Sequence, residues 1–166
     1  ARMLRATFAI LFAALCGGVS AQQFPTKPLR ILVPFPPGGG TDVAARALGE
    51  HLHRDLGQPV VVDNRPGGNS VIATELLARA EADGHTLLLT TDFHSINAAF
   101  GAPLPYDSLK DFAFVARVST SPLLLVTHPG AGVKTLGEAI AAVRAQPGRH
   151  SFASLGSSSP HYLGFE

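Results

Sequence analysis

The chain carries a single cysteine, Cys16, which falls in an N-terminal stretch that reads as a removable leader. With it gone, no disulfide can form and no thiolate can hold a metal, which suits an oxidising compartment. Charge of one sign is also lacking. The 13 basic residues fall to 11 once Arg2 and Arg5 leave with the leader, against 12 acidic ones. That balance gives no support to a nucleic-acid or membrane-surface partner. The one long apolar run, residues 6–15, is too short for a membrane span. Internal repeats and low-complexity segments are missing as well.

Several chemical signatures are absent. The glycine-bearing turn at residues 36–42 lacks the Lys-Ser/Thr of a phosphate-binding P-loop, and its glycines do not fall at G-x-G-x-x-G spacing. The serine-nucleophile pattern G-x-S-x-G fails at Pro160, and Ser157, Ser158 and His161 on one short stretch do not make a triad. The seven histidines are scattered, and His51 and His53 lack the i,i+4 spacing of a helical metal pair. The sequence therefore predicts no enzyme, no catalytic residue, no metal and no cofactor.

The leader has the parts of a secretory signal: Arg2 and Arg5, the apolar run, and Val19-Ser20-Ala21 as a small-residue cleavage site. Cleavage after Ala21 would start the mature, exported chain at Gln22. Arg2 and Arg5 are not adjacent, which argues against a twin-arginine signal. Leu15 is bulky for the residue before an acylated Cys16.

The mature portion alternates strands and helices, the pattern of an α/β protein with a parallel sheet. Residues 29–42, LRILVPFPPGGGTD, carry the densest information. Ile31, Leu32 and Val33 read as a strand covered on both faces. Pro34, Pro36 and Pro37 end it, and Gly38, Gly39 and Gly40 expose bare backbone. Thr41 or Asp42 is expected to cap the next helix, whose free N–H groups suit a carboxylate.

Further elements follow in order: a helix over 41–56 ended by Gly57, a strand at 60–62, a helix over 70–80 and a strand over 85–91. A short helical turn is expected at 95–100, strands at 112–118 and 123–127, and a helix over 135–145 capped by Thr135 and Glu138. A last strand at 151–153 runs through serines into a helix, echoing the first junction. Two such junctions facing each other describe a two-lobed binder. The ending at Glu166 reads as mid-helix, so the sequence predicts a fragment of a longer chain.

These residues carry a resemblance. Phe24-Pro25, Lys27-Pro28-Leu29-Arg30 and the run 33–42 are similar to the Bug-type periplasmic receptors of tripartite tricarboxylate transporters. So are residues 56–67, 83–88, 104–107, 110–112 and 147–148, together with Phe152-Ala153-Ser154, Gly156-Ser157 and His161. The resemblance implies a two-lobed, type II periplasmic-binding-protein fold, here truncated: a signal peptide over 1–21, lobe 1 over 22–121 and the start of lobe 2 over 122–166. It implies a monomeric receptor that closes on a small carboxylate or amino-acid-like solute and delivers it to a membrane permease. A sensor for a signalling system would use the same binding chemistry, and a decayed gene would leave only a remnant.

The resemblance assigns ligand contacts to Phe35, Gly38, Gly39, Gly40, Thr41 and Asp42 in the first lobe. Asp42 either caps its helix or touches ligand, and Phe35 either walls the pocket or belongs to the core. A second region brings Thr91, Asp92 and His94. Asp92 either caps the following turn or favours an amine-bearing acid over a dicarboxylate. The second lobe contributes Ser154, Gly156, Ser157, Ser158 and His161, the last as a ligand contact or a packing residue.

Overall fold

The computed structural model describes residues 24–101, 103–156 and 159–164. The leader and its cleavage site, and the ligand-contact assignments for Ser157 and Ser158, lie outside the described residues.

Three parallel strands form the sheet: β1 (Leu29–Val33), β2 (Val60–Asn64) and β3 (Thr86–Leu88), in the order β2-β1-β3. β1 is central, and Leu29, Ile31, Leu32 and Val33 are all essentially inaccessible. Its alternation splits the core. Ile31 and Val33 pack with Ala45, Leu48 and Leu52 of helix α1 (Gly40–Leu56), with Val60, Val62 and Leu87 of the flanking strands, and with Leu89 just after β3. Helix α2 (Val71–Ala78) packs on β1 and β3. Burying an aliphatic side chain of this size contributes about 1.5–3 kcal/mol, so β1 is the largest single source of cohesion.

The chain leaves β1 through α1 to β2 on one side, then crosses back through α2 to β3 on the other. Right-handed crossovers in opposite directions put α1 and α2 on opposite faces. The connections leaving β1 and β3 therefore run to opposite faces, and the carboxyl ends between them are the place where open α/β sheets take ligands.

The first helix starts one residue early. Its N-cap is Gly39, not Thr41 or Asp42, and no side chain caps it. Asp42, in the third helical position, instead reaches back to the Gly38 N–H at 2.9 Å. The turn through Gly38, at φ 85°, brings that N–H within reach of a short carboxylate. The helix ends as expected at left-handed Gly57, whose N–H donates to the His53 carbonyl.

Other boundaries shift. The α2 region opens with a 3₁₀ turn at Gly68–Ser70, in which Asn69 (φ 50°) and Ser70 (φ 77°) are left-handed. β3 is shorter than expected, and helix α3 (Phe93–Ala99) begins earlier. Helix α4 (Leu136–Ala145) has Thr135 as its N-cap, accepting from the Glu138 N–H at 3.2 Å. Glu138 bonds the Lys134 N–H rather than that of Thr135, one residue outside the usual capping box. A four-residue helix α5 (Pro160–Leu163) follows, with Ser159 as its cap and Pro160 in its first turn.

The expected strands at 112–118, 123–127 and 151–153 do not form. A strand exists only through a paired neighbour, and no described segment hydrogen-bonds along them. Leu124 and Val126 stand more than four-fifths exposed. Leu136, Ile140 and Val143, the apolar side of α4, are also open to solvent.

Candidate functional site

Three loops meet at the carboxyl edge of the sheet. The turn after β1 is locked by the last residue of β2: Asn64 Nδ2 donates to the Phe35 carbonyl and to Asp42 Oδ1, each at 3.0 Å. Arg46, one turn along α1, donates its Nε–H to Asp42 Oδ2 at 3.0 Å and brings Nη2 within 3.0 Å of Oδ1. Arg46, the Gly38 N–H and the Asn64 amide together hold the Asp42 carboxyl down at about 2. Asp42 is thus an ionised, buried strut with both oxygens occupied. It does not cap the helix, as its residue type suggested; its oxygens instead brace the turn through Gly38, Arg46 and Asn64.

Gly38, Gly39 and Gly40 are exposed, and a Cβ built on Gly38 or Gly40 would meet nothing within 4 Å. The backbone at the start of α1 faces open space, with the positive end of a 17-residue helix behind it. Thr41 is half-buried beside it. Phe35 is half-buried too, packed on the core, and its ring meets the Phe93 ring edge-on at 5.7 Å. It therefore serves as core and as the link between the β1 and β3 loops.

From the β3 side, Thr90 shares a hydroxyl hydrogen bond with Ser70 at 3.1 Å, and Asn97 donates to the Asn69 carbonyl at 2.7 Å. Thr91 and Asp92 are exposed, and Asp92 occupies the N-cap position of α3 without a side-chain cap bond. The capping role weighed for Asp92 is absent. His94 is drawn elsewhere. It is buried, its Nε2–H donates to the Ser108 carbonyl at 2.9 Å, and its ring stacks on Tyr106 with Phe112 and Phe114 edge-on. Burial holds the Tyr106 hydroxyl above its ordinary value.

The later segment arrives at the same edge. Gly156, at φ 118°, lies so near Asn69 that a Cβ would sit 2.6 Å from Asn69 Oδ1. Ser154 Oγ accepts from the Gly156 N–H at 3.4 Å and is exposed. His161 is exposed on α5. Asn64, Asn69 and Ser70 were not expected as site residues. Their only signal was position, at the end of β2 and in the turn that follows it, and left-handed backbone at a serine has no sequence signature.

The assembled edge offers hydroxyls, amides and helix N–H groups, donors of a kind that suit an anion. No group of three or more His, Cys, Asp or Glu residues is placed to hold a metal among the described residues.

Comparison with known proteins shows the family. The family profile described as "Tripartite tricarboxylate transporter family receptor" matches residues 44–166. Protein BugT of Bordetella pertussis is 42% identical over 154 residues, covering 90% of this chain and 47% of that protein. The UPF0065 protein in the tcbD-tcbE intergenic region of a Pseudomonas species is 37% identical over 140 residues, covering 84% and 42%. A solved structure described as a periplasmic transporter superposes with a TM-score of 0.67 at 31% identity, covering 85% of this chain and 48% of that one. The chain spans about half the length of the curated relatives it matches.

Proposed function

The chain belongs to the tripartite tricarboxylate transporter receptor family and carries part of its α/β fold, and from that premise we propose that it is the N-terminal part of a periplasmic solute receptor. The receptor grips a small carboxylate at the carboxyl edge of the sheet. It then hands the solute to the membrane permease of a tripartite transporter, acting as a monomer without catalysis. Residues 1–21 act as the export signal, 22–121 form the first lobe and 122–166 begin the second.

One observation carries this reading: Gly156, from the later segment, abuts Asn69 at the edge where the β1 turn offers bare backbone. In the proposal, the backbone at Gly39, Gly40 and Thr41 donates to a ligand carboxylate, with the Gly38 N–H already committed to Asp42. Phe35 and Thr91 wall the first lobe. Ser154, Gly156, Ser157, Ser158 and His161 close from the other side, where hydroxyls and a helix start supply the second set of donors. Two walls with polar groups converging between them are what enclosure of a small anion requires.

The test is a thermal-shift screen of small mono-, di- and tricarboxylates on the product of the complete reading frame. A ligand that binds the native state alone raises Tm with concentration. A concentration-dependent rise with at least one carboxylate supports the receptor, and no shift across the set overturns it.

A further inference from the structure

At the amino end of the strands, opposite the carboxyl edge, one imidazole fastens the segment that leads into β1. His85, just before β3, is buried, and its ring packs on the Phe24 ring with 4.9 Å between centroids. Its Nε2 accepts the Thr26 N–H at 3.1 Å, so that nitrogen carries no proton. The one proton of the neutral ring therefore lies on Nδ1, which faces the Asp83 carbonyl at 3.1 Å and Asp83 Oδ1 at 3.3 Å. Backbone bonds fix the residue itself. The His85 N–H donates to Asp83 Oδ1 at 2.9 Å, and its carbonyl accepts the Arg30 N–H at 2.8 Å. Gly84, at φ 80°, passes so close to Phe24 that a Cβ would stand 3.2 Å from the ring.

The charged groups around the imidazole are Asp83, Lys27 and Glu81. Lys27 Nζ meets Asp83 Oδ2 at 2.7 Å and Glu81 Oε2 at 3.1 Å. Hydrogen bonds from Lys27 and from the His85 N–H hold the Asp83 carboxyl well below the usual carboxylate range. Asp83 and Glu81 in turn hold the Lys27 ammonium above its ordinary value. Asp83 and Lys27 thus keep their charges at neutral and mildly acid pH, where histidine is the side chain that titrates.

We infer that His85 is a proton-released clasp on the N-terminal segment: the neutral ring holds Thr26 and seats Phe24, and the protonated ring lets residues 24–28 go. A proton on Nε2 points at the Thr26 N–H, donor against donor. Nδ1–H keeps its acceptors on Asp83 in either state, so the whole cost of protonation falls on the Thr26 bond. The released form binds one proton more than the clasped form, and acid therefore favours release, by up to about tenfold per pH unit. The N–H groups of Leu29 and Arg30 bond the Pro59 and His85 carbonyls, which do not titrate, so release stops where β1 begins.

The test is NMR on the product of the complete reading frame, without solute. Long-range nitrogen–proton spectra read the His85 tautomer, and amide exchange, corrected for its intrinsic pH dependence, reads Thr26. The expected ring carries its proton on Nδ1 at neutral pH. Thr26 protection should fall about tenfold or more between about pH 8 and about pH 5, while Leu29 and Arg30 keep theirs. His85→Gln offers an acceptor that does not titrate, so its Thr26 protection should be flat with pH. His85→Phe keeps a ring on Phe24 without an acceptor and should leave Thr26 unprotected throughout. A neutral ring protonated on Nε2, wild-type protection that ignores pH, or a pH response that survives in His85→Gln overturns the clasp. The first two readings need only the wild-type chain, so they decide the matter even where a variant fails to fold.

Discussion

Gly156 and Asn69 are in contact so close that only a hydrogen fits at position 156: an added Cβ would stand 2.6 Å from Asn69 Oδ1. This contact is where the later segment touches the three-stranded unit. Gly156→Ala is expected to cost about 1–3 kcal/mol, from the clash and from a φ of 118° that alanine resists. Asn69→Gly in the same chain should recover part of that loss, because it removes the obstructing amide at a φ of 50° that glycine tolerates. A double-mutant cycle of unfolding free energies measures the recovery; strict additivity would deny the contact.

Asn64 fastens the end of β2 to the glycine-bearing turn. Asn64→Ala removes three hydrogen bonds at once: its amide's donations to the Phe35 carbonyl and Asp42 Oδ1, and the bond that Arg46 Nη2 donates to its Oδ1. The expected loss is about 1–3 kcal/mol, with faster amide exchange concentrated at Gly38–Gly40. Exchange that rises uniformly along the chain would mean that Asn64 stabilises the whole sheet rather than this turn.

Acid titrates the same lock. Asp42 is held at about 2 in the folded chain, below its ordinary value of 3.8, so the unfolded chain takes up the proton first. Its contribution is fully present above about pH 4 and disappears as pH falls through about 2. Asp63 and Asp107 are lowered as well, and act in the same direction. Unfolding free energy should decline across that window, and Asp42→Asn should decline less steeply over the same range. A variant whose slope matches wild type would show that the carboxylate carries no linkage.

His94 gives a prediction of the opposite kind. Its ring is enclosed by Tyr106, Phe112 and Phe114, and its one hydrogen bond ties α3 to the loop at Ser108. His94→Phe keeps the aromatic packing and loses that bond, so about 1 kcal/mol of stability should go while solute affinity stays within roughly twofold. An affinity loss of tenfold or more at unchanged stability would put the imidazole in the binding site after all.

The first half of this fold was legible because its signals are local. β1 announces itself by Ile31-Leu32-Val33, α1 by its apolar stripe and Gly57, and α4 by Thr135 with Glu138. What escaped notice depends on distant partners. Residues 112–118, 123–127 and 151–153 have strand composition, but composition cannot supply a neighbouring strand. Asp42 looked like a cap because its type favours that role; its actual acceptor duty toward Gly38 and Asn64 follows from a turn whose shape only the folded chain reveals. The family resemblance drew attention to Asp42 and His94, yet their roles came from their contacts.

The placement of β1 between its two neighbours has a bearing on how the chain reaches its final state. Arg30 pairs with Val61 on one side and Thr86 on the other, so each rung of the sheet joins residues far apart in sequence. The first strand to be synthesised cannot be flanked on both edges until a long stretch of chain has followed it. Parallel, non-local pairing of this kind assembles slowly. The emerging polypeptide therefore spends longer as an open chain, with its apolar β1 segment waiting for both partners.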